Sequence, residues 1–385
     1  MRSGLTAAAF AAVLFSFAIC GLAAPQRTLS AVENRELAAP PALSAKAVFS
    51  GRFAEDLDKY LLDHFPLRDA WAGLAGAADF AMGRKDNGRV YFGADGWLFA
   101  MDSIDFGLLD ANLGHIRDFI GAVSEEYPDV AFSALPVPAS WSVARDMLPA
   151  FAPAGDEDAA MSRIGEALEG FARVCDPGED LEDAFRAGTQ VYYRTDHHWT
   201  TRGAYIAYRA WAERCGLTPS PESDFAVRVV SDAFYGVNAS KAGLPWTVPD
   251  RMEAFERKDA PPLRMTVESA KDGGETRVSD GLYAPEFLAE RDKYAYFLGG
   301  NNAVVTIDTG LANGRTLLLL KDSFAHCFAP FLTAHFERVI LVDPRYHRDG
   351  LARFFRENDI TDLLFLYSAV QLSNDRNLFY LKLAV

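Results

Sequence analysis

Cysteine is scarce in this 385-residue chain, which has four: Cys20, Cys175, Cys215 and Cys327. None has the CxxC or Cys/His spacing of a structural zinc site, so a zinc-stapled fold is excluded. Cys20 lies in an apolar N-terminal run. Three remain beyond it, and an odd number leaves at least one free thiol. Cys175 and Cys215 flank a histidine-containing segment and could be bridged; the other reading makes all three small buried hydrophobes. Positive charge is also short, with 38 Lys and Arg against 53 Asp and Glu, a formal net charge of −15 and no basic stripe. That argues against nucleic acid as a partner, and the acidity reads as solubility. After residue 24 no run approaches the length of a membrane span. There is no internal repeat, which excludes a solenoid.

Half of the residues are hydrophobic and 12% are aromatic. That is enough for a large core, in one domain with insertions or in two domains. Residues 1–24 read as a secretory signal peptide or an N-terminal membrane anchor. Arg2 precedes an uncharged run from Leu5 to Ala24, and small residues lie before Pro25. A lipoprotein reading of Cys20 fits less well, because Ile19 puts a bulky side chain directly before it. Residues 25–85 read as a Pro- and Ala-rich arm followed by two helices, one carrying Phe53, Leu57, Tyr60, Leu61 and Phe65, the other running from Arg68 to Met82.

Residues 86–385 read as the main domain. Arg89–Gly93 and Gly96–Phe99 predict a hairpin. Helices are expected over Leu113–Tyr127, Ala159–Cys175, Leu181–Gly188 and from Thr200 or Thr201 to Cys215, then over Phe324–Phe336 and Leu351–Asn358. Continuous apolar strands are expected over Val130–Pro138, Ala303–Ile307, Thr316–Leu320, Arg338–Asp343 and Leu363–Tyr367, with a shorter one over Gln190–Tyr193. Alternation of these strands with helices predicts an α/β fold with a mostly parallel sheet. About 219–301 the chain turns to Gly, Pro, Ser and Asp clusters, expected to form an insertion of loops and short strands near a site.

The chemistry concentrates in Tyr192-Tyr193-Arg194-Thr195-Asp196-His197-His198-Trp199-Thr200-Thr201 and in Lys321-Asp322-Ser323-Phe324. In a loop or extended segment, residues i and i+2 point to one side. Asp196 can therefore hold one imidazole nitrogen of His198 and leave the other to take a proton from a serine. Ser323 follows a strand and opens a helix, where free backbone N–H groups would stabilise an oxyanion. As an alternative it is only an N-cap. His326 lies on the same helical face and is a competing base. Asn301 or Asn302 could supply an oxyanion donor or simply form a Gly-Asn turn. Arg194 and Lys321 could meet an anionic substrate or be solvated charges. Tyr193 and Trp199 could stack on sugars, with core packing the alternative for Trp199. A different enzyme class would use Asp196, His197, His198 and His326 as metal ligands, but adjacent histidines diverge in extended chain.

Thr195-Asp196-His197-His198-Trp199-Thr200 resembles the motif that names the DHHW protein family, itself similar to the SGNH-hydrolase-like proteins of bacterial alginate O-acetylation. Glu33 to Leu37, Asp63 to Arg68, Gly93 to Phe99, Tyr235-Gly236 through Gly243, and Gly299 to Asn302 resemble its other landmarks. The resemblance implies an SGNH-like three-layer fold with a permuted order of Asp196, His198 and Ser323. It implies an extracytoplasmic serine-dependent O-acyl transferase or esterase acting on an envelope or exported polysaccharide. A membrane O-acyltransferase would supply the acyl donor, and no cofactor is expected. The alternative is a non-catalytic glycan-binding or scaffold component of a polysaccharide assembly.

Overall fold

A computed structural model describes residues 2–23, 29–30, 35–152, 156–269 and 276–381. Glu33 and Asn34 of the N-terminal landmark lie outside the described residues, as does the expected cleavage point at 24–25. The chain divides into two compact units, Met1–Asn87 with Ala239–Thr247, and Gly88–Asn238 with Val248–Val385.

The smaller unit is helical, with helices over Arg2–Ala23, Ala45–Phe49, Arg52–Asp63 and Arg68–Ala81. Asp63 is buried and accepts a hydrogen bond from the Ala38 N–H at 2.8 Å, tying the arm to the Arg52–Asp63 helix. Asn87 donates to the Lys241 carbonyl at 2.9 Å, which brings 239–247 into this unit. Among the described residues no helix is long and apolar enough to cross a membrane.

The larger unit is built on an eight-stranded sheet. Its strands, in spatial order, are Thr276–Ser279, Arg264–Ser269, Asn302–Asp308, Arg338–Val342, Thr316–Lys321, Asp362–Ser368, Ala131–Val137 and Arg173–Val174. The last five run parallel, and the first three join by antiparallel pairing. Alternate residues of the central strands enter two different clusters. Leu317, Leu319, Leu341 and Leu364 pack with Tyr208, Trp211, Phe328 and Phe331. Leu318, Leu320, Ile340 and Leu363 pack with Leu113, Ile116, Phe119 and Phe354. The strands read as continuous apolar runs because both faces are covered by helices.

Several expectations are corrected. The Asn302–Asp308 strand is antiparallel to both neighbours: the short loop to Thr316 makes it run opposite to Thr316–Lys321, and that strand is parallel to its neighbour Arg338–Val342. The 219–301 stretch is not wholly an insertion, since Arg264–Ser269 and Thr276–Ser279 extend the main sheet. Phe225–Phe234 and Asp250–Arg257 form their own two-stranded sheet. The expected Ala159–Cys175 helix is Glu157–Leu168, after which Gly170 at φ 79° breaks the run and Arg173–Val174 becomes an edge strand. Gln190–Tyr193 forms no ladder; Tyr192 makes a single bridge to Trp199. All three cysteines beyond Cys20 are free, and burial pushes the Cys175 and Cys327 thiols up to about 12.

Glu157 opens one of these helices while almost wholly buried. Its carboxyl accepts from the Ala139 N–H at 2.7 Å and the Ser142 hydroxyl at 2.5 Å. Burial pushes it up to about 7, against the lowering effect of those two bonds. A carboxyl raised in the folded state favours folding at low pH, and that contribution is lost as pH climbs from about 4.5 to about 7. Glu157→Gln can keep both bonds, its amide oxygen accepting from Ala139 and its amide nitrogen donating to Ser142. The variant is therefore expected to flatten this decline and to be more stable at pH 8 by about 1–3 kcal/mol. Urea midpoints from pH 5 to 8 measure it; parallel curves for the two proteins would refute it.

Candidate active site

The segment from Gln190 to Thr200 is folded back on itself by short bonds. Thr200 N–H donates to the Val191 carbonyl at 2.8 Å and Tyr193 N–H to the His198 carbonyl at 3.2 Å. Thr200 then caps the Thr201–Arg214 helix, its hydroxyl accepting from the Gly203 N–H at 3.1 Å. The loop is gripped from outside by Asp250, which is fully buried. One Asp250 oxygen accepts from Gln190 Nε2 at 2.8 Å and Arg194 N–H at 3.1 Å. The other accepts from Thr195 N–H at 2.8 Å and its hydroxyl at 2.6 Å.

Asp196 sits at the apex. Its Oδ1 accepts from the His198 backbone N–H at 3.0 Å and lies 2.6 Å from His198 Nδ1, while Oδ2 accepts from the Val237 N–H at 2.8 Å. Gly236 is required here because an added Cβ would lie 2.3 Å from the Asp196 Cβ. Burial alone would raise the Asp196 carboxyl. The neighbouring His197 and His198, with the His198 hydrogen bonds, instead hold it well below the usual carboxylate range.

Ser323 lies beyond the carboxyl end of the Thr316–Lys321 strand. Asp322 fixes its backbone: one carboxylate oxygen accepts from Phe324 N–H at 2.9 Å and the other from Ser368 N–H at 2.8 Å. The Phe324 donor is thereby taken, which leaves the Ser323 and Ala325 N–H groups at this turn. His198 Nε2 lies 2.7 Å from Ser323 Oγ. The structure thus brings Asp196, His198 and Ser323 into one hydrogen-bonded line, and Trp199 Nε1 ties the two segments by donating to the Phe324 carbonyl at 3.0 Å.

Sequence reasoning misses Tyr294 as a neighbour of this line. Its ring stacks on His198 with centroids 4.0 Å apart and planes 13° apart, and its hydroxyl donates to the Ser323 carbonyl at 3.3 Å. Phe324 packs on another side of the His198 ring at 4.9 Å. Asp250 and Tyr294 act through contacts distant in sequence, and Asp322 through one local bond to Phe324 and one distant bond to Ser368. Only the Tyr235-Gly236 pair carries a local signal, a glycine with no evident turn to serve.

The remaining candidates are placed elsewhere. Tyr193 is buried and packs on Phe234 at 4.8 Å, so it offers no sugar platform, and Trp199 is a core residue. Arg194 turns back to Asp250, 3.4 Å from its Oδ1. Lys321 is buried, with Nζ 3.0 Å from Asp343 Oδ2 and 2.9 Å from His326 Nε2. Burial, then the Lys321 charge, holds the His326 imidazole neutral and well below its ordinary value. His326 is therefore a partner of Lys321 rather than the base facing Ser323. The Asn302 amide nitrogen is spent on the carbonyls of Leu298 and Gly300, at 3.2 and 3.0 Å, as a turn clamp, and Asn301 is exposed before its strand.

Fold and site together define a mixed α/β protein with a Ser–His–Asp array at the carboxyl edge of a largely parallel sheet. Residues 180–342 match the model of the DHHW protein family, so the resemblance carried by Thr195 to Thr200 holds. Over 172 residues, 43% of this chain, it is 26% identical to the probable alginate O-acetylase AlgJ of Pseudomonas putida. The match spans 44% of that relative's length. Among solved structures, a DHHW family protein from Eubacterium siraeum superposes with a TM-score of 0.63 at 21% identity, over 76% of this chain and 97% of that one. Bacillus cereus PatB1 with a sulfonyl adduct superposes with a TM-score of 0.64 at 20% identity, over 76% and 97%. At that identity these likenesses show the fold.

Proposed function

We propose that the chain is an extracytoplasmic serine-dependent O-acyl transferase or esterase of SGNH type, with a glycan as acceptor and acetyl as the acyl group. The observation that carries this reading is the line from Asp196 through His198 to Ser323. Asp196 holds the His198 Nδ1–H, which fixes the tautomer with a lone pair on Nε2. Nε2 takes the Ser323 proton as Oγ attacks the acyl carbonyl. The oxyanion is met by the Ser323 and Ala325 N–H groups at the start of the Ala325–Leu332 helix. The His198 proton then goes to the leaving group. In the second half His198 deprotonates a sugar hydroxyl, or water, which takes the acyl group from Ser323. The relative named an alginate O-acetylase supports a polysaccharide acceptor. A membrane O-acyltransferase as donor completes the proposal.

The test is a fluorophosphonate probe followed by peptide mass analysis. The phosphonyl group is expected on the peptide containing Ser323, with labelling suppressed by an excess of para-nitrophenyl acetate. Labelling on any other residue, or none on a folded protein, would sink the reading.

A further inference from the structure

His197 has no part in that mechanism, yet it does not diverge from its neighbour as extended chain would require. Residues 195–198 are bent, and both imidazoles turn toward the same carboxylate. His197 Nδ1 lies 3.6 Å from Asp196 Oδ1 and His198 Nδ1 lies 2.6 Å from it. The two rings overlap, with centroids 3.9 Å apart. The ligand atoms offered by Asp196, His197 and His198 all fall within 4.8 Å of one another. A tetrahedral zinc ion with bonds of about 2.0–2.2 Å needs ligand atoms about 3.3–3.6 Å apart, so small side-chain rotations suffice. His197 has 42% of its side chain exposed, which gives an ion an approach and room for a water on its open side.

We propose that Asp196, His197 and His198 form an inhibitory site for a divalent ion of the zinc class, which switches the serine off by capturing its base. Ligation through His198 Nδ1 needs the lone pair at that nitrogen, so the proton it donates to Asp196 must leave to solvent. The neutral metal-bound ring carries a proton, taken from solvent, on Nε2 instead. The sum is a tautomer exchange with no net change in protons. Nε2 then presents an N–H to Ser323 Oγ and cannot accept the serine proton. Asp196 meanwhile exchanges an imidazole N–H for the ion. Two neutral imidazoles and one carboxylate are a donor set zinc accepts readily. Inhibition rests on the acyl-transfer reading; binding of the ion does not.

The experiment uses the full chain, a chromophoric zinc indicator for binding, and ester turnover with fluorophosphonate labelling for activity. One zinc ion per chain is expected, with turnover and labelling falling together as the site fills and returning with EDTA. His197→Ala, and His197→Gln as a bulkier second variant, are expected to keep metal-free turnover while needing at least about tenfold more zinc for inhibition. Ser323→Ala is expected to bind zinc as the unaltered chain does. If it does so while the unaltered chain neither turns over ester nor labels, the acyl-transfer reading fails and the ion site stands. Equal zinc affinity in His197→Ala and the unaltered chain would overturn the site. Turnover that disappears with EDTA and returns with zinc would overturn its inhibitory role.

Discussion

Ser323→Ala is expected to lower ester turnover by about 10⁶-fold, and Asp196→Asn by about 10⁴-fold. The first figure follows from removing the proposed nucleophile, which would leave only substrate binding and the oxyanion donors. The second follows from hydrogen-bond direction. Asp196 Oδ1 accepts from both the backbone N–H and Nδ1 of His198, while Oδ2 accepts from Val237 N–H. In the Asp196→Asn variant one of these acceptors becomes an NH2 group. If it faces Nδ1 it stabilises the tautomer with the proton on Nε2, where a lone pair is needed. If it faces Val237 it meets a donor with a donor in a buried place. Either arrangement removes the base or distorts the loop. Steady-state rates with para-nitrophenyl acetate measure both variants, with urea unfolding to establish that they are folded. Turnover in Asp196→Asn within about tenfold of the unaltered chain would show that Asp196 does not set the tautomer.

Asp343→Ala is expected to destabilise the larger unit by about 3–5 kcal/mol, because it strands a buried cation. Asp343 is fully buried, 3.0 Å from Lys321 Nζ, and takes Arg345 on both oxygens at 2.8 and 2.7 Å. Lys321 lies on the strand that delivers Ser323 and has no route to water. The contrasting variant is Lys321→Met. It removes the charge and keeps the volume, and Asp343 retains its two bonds to Arg345, so the cost is expected to be far smaller. Urea unfolding of both variants at one pH makes the comparison. Equal losses would mean that packing, and not the stranded charge, governs this cluster.

The same cluster explains why the sequence misleads at Lys321. A lysine beside a candidate serine looks like a substrate contact, and nothing local reveals that Asp343, at the end of another strand, takes its charge inside. Tyr193 misleads for the same reason, since its neighbour Phe234 comes from another strand pair. Asn302 has two readings in the sequence, and the turn clamp is the one its bonds describe. The parallel strands are legible because a continuous apolar run between two helices fits little besides a strand buried on both faces. The reversed Asn302–Asp308 strand is not, because its composition is that of a parallel one and its direction is set by the short loop after it. Asp250 is invisible as a support, since a buried acid reads as surface charge until its donors are known.

The sequence by itself determined the pairing of Asp196 with His198, because two residues in one short turn need no distant partner to meet. It also determined the position of Ser323 at a strand end, through the run of leucines before it. Only the tertiary structure decided that these halves meet, that His326 goes to Lys321 and His198 to Ser323, and that His197 turns toward Asp196. Those choices depend on the order of strands across the sheet and on which side chains Asp250, Asp322 and Tyr294 restrain. Such contacts join segments tens to hundreds of residues apart, and local pattern carries no record of which distant groups will satisfy a buried donor.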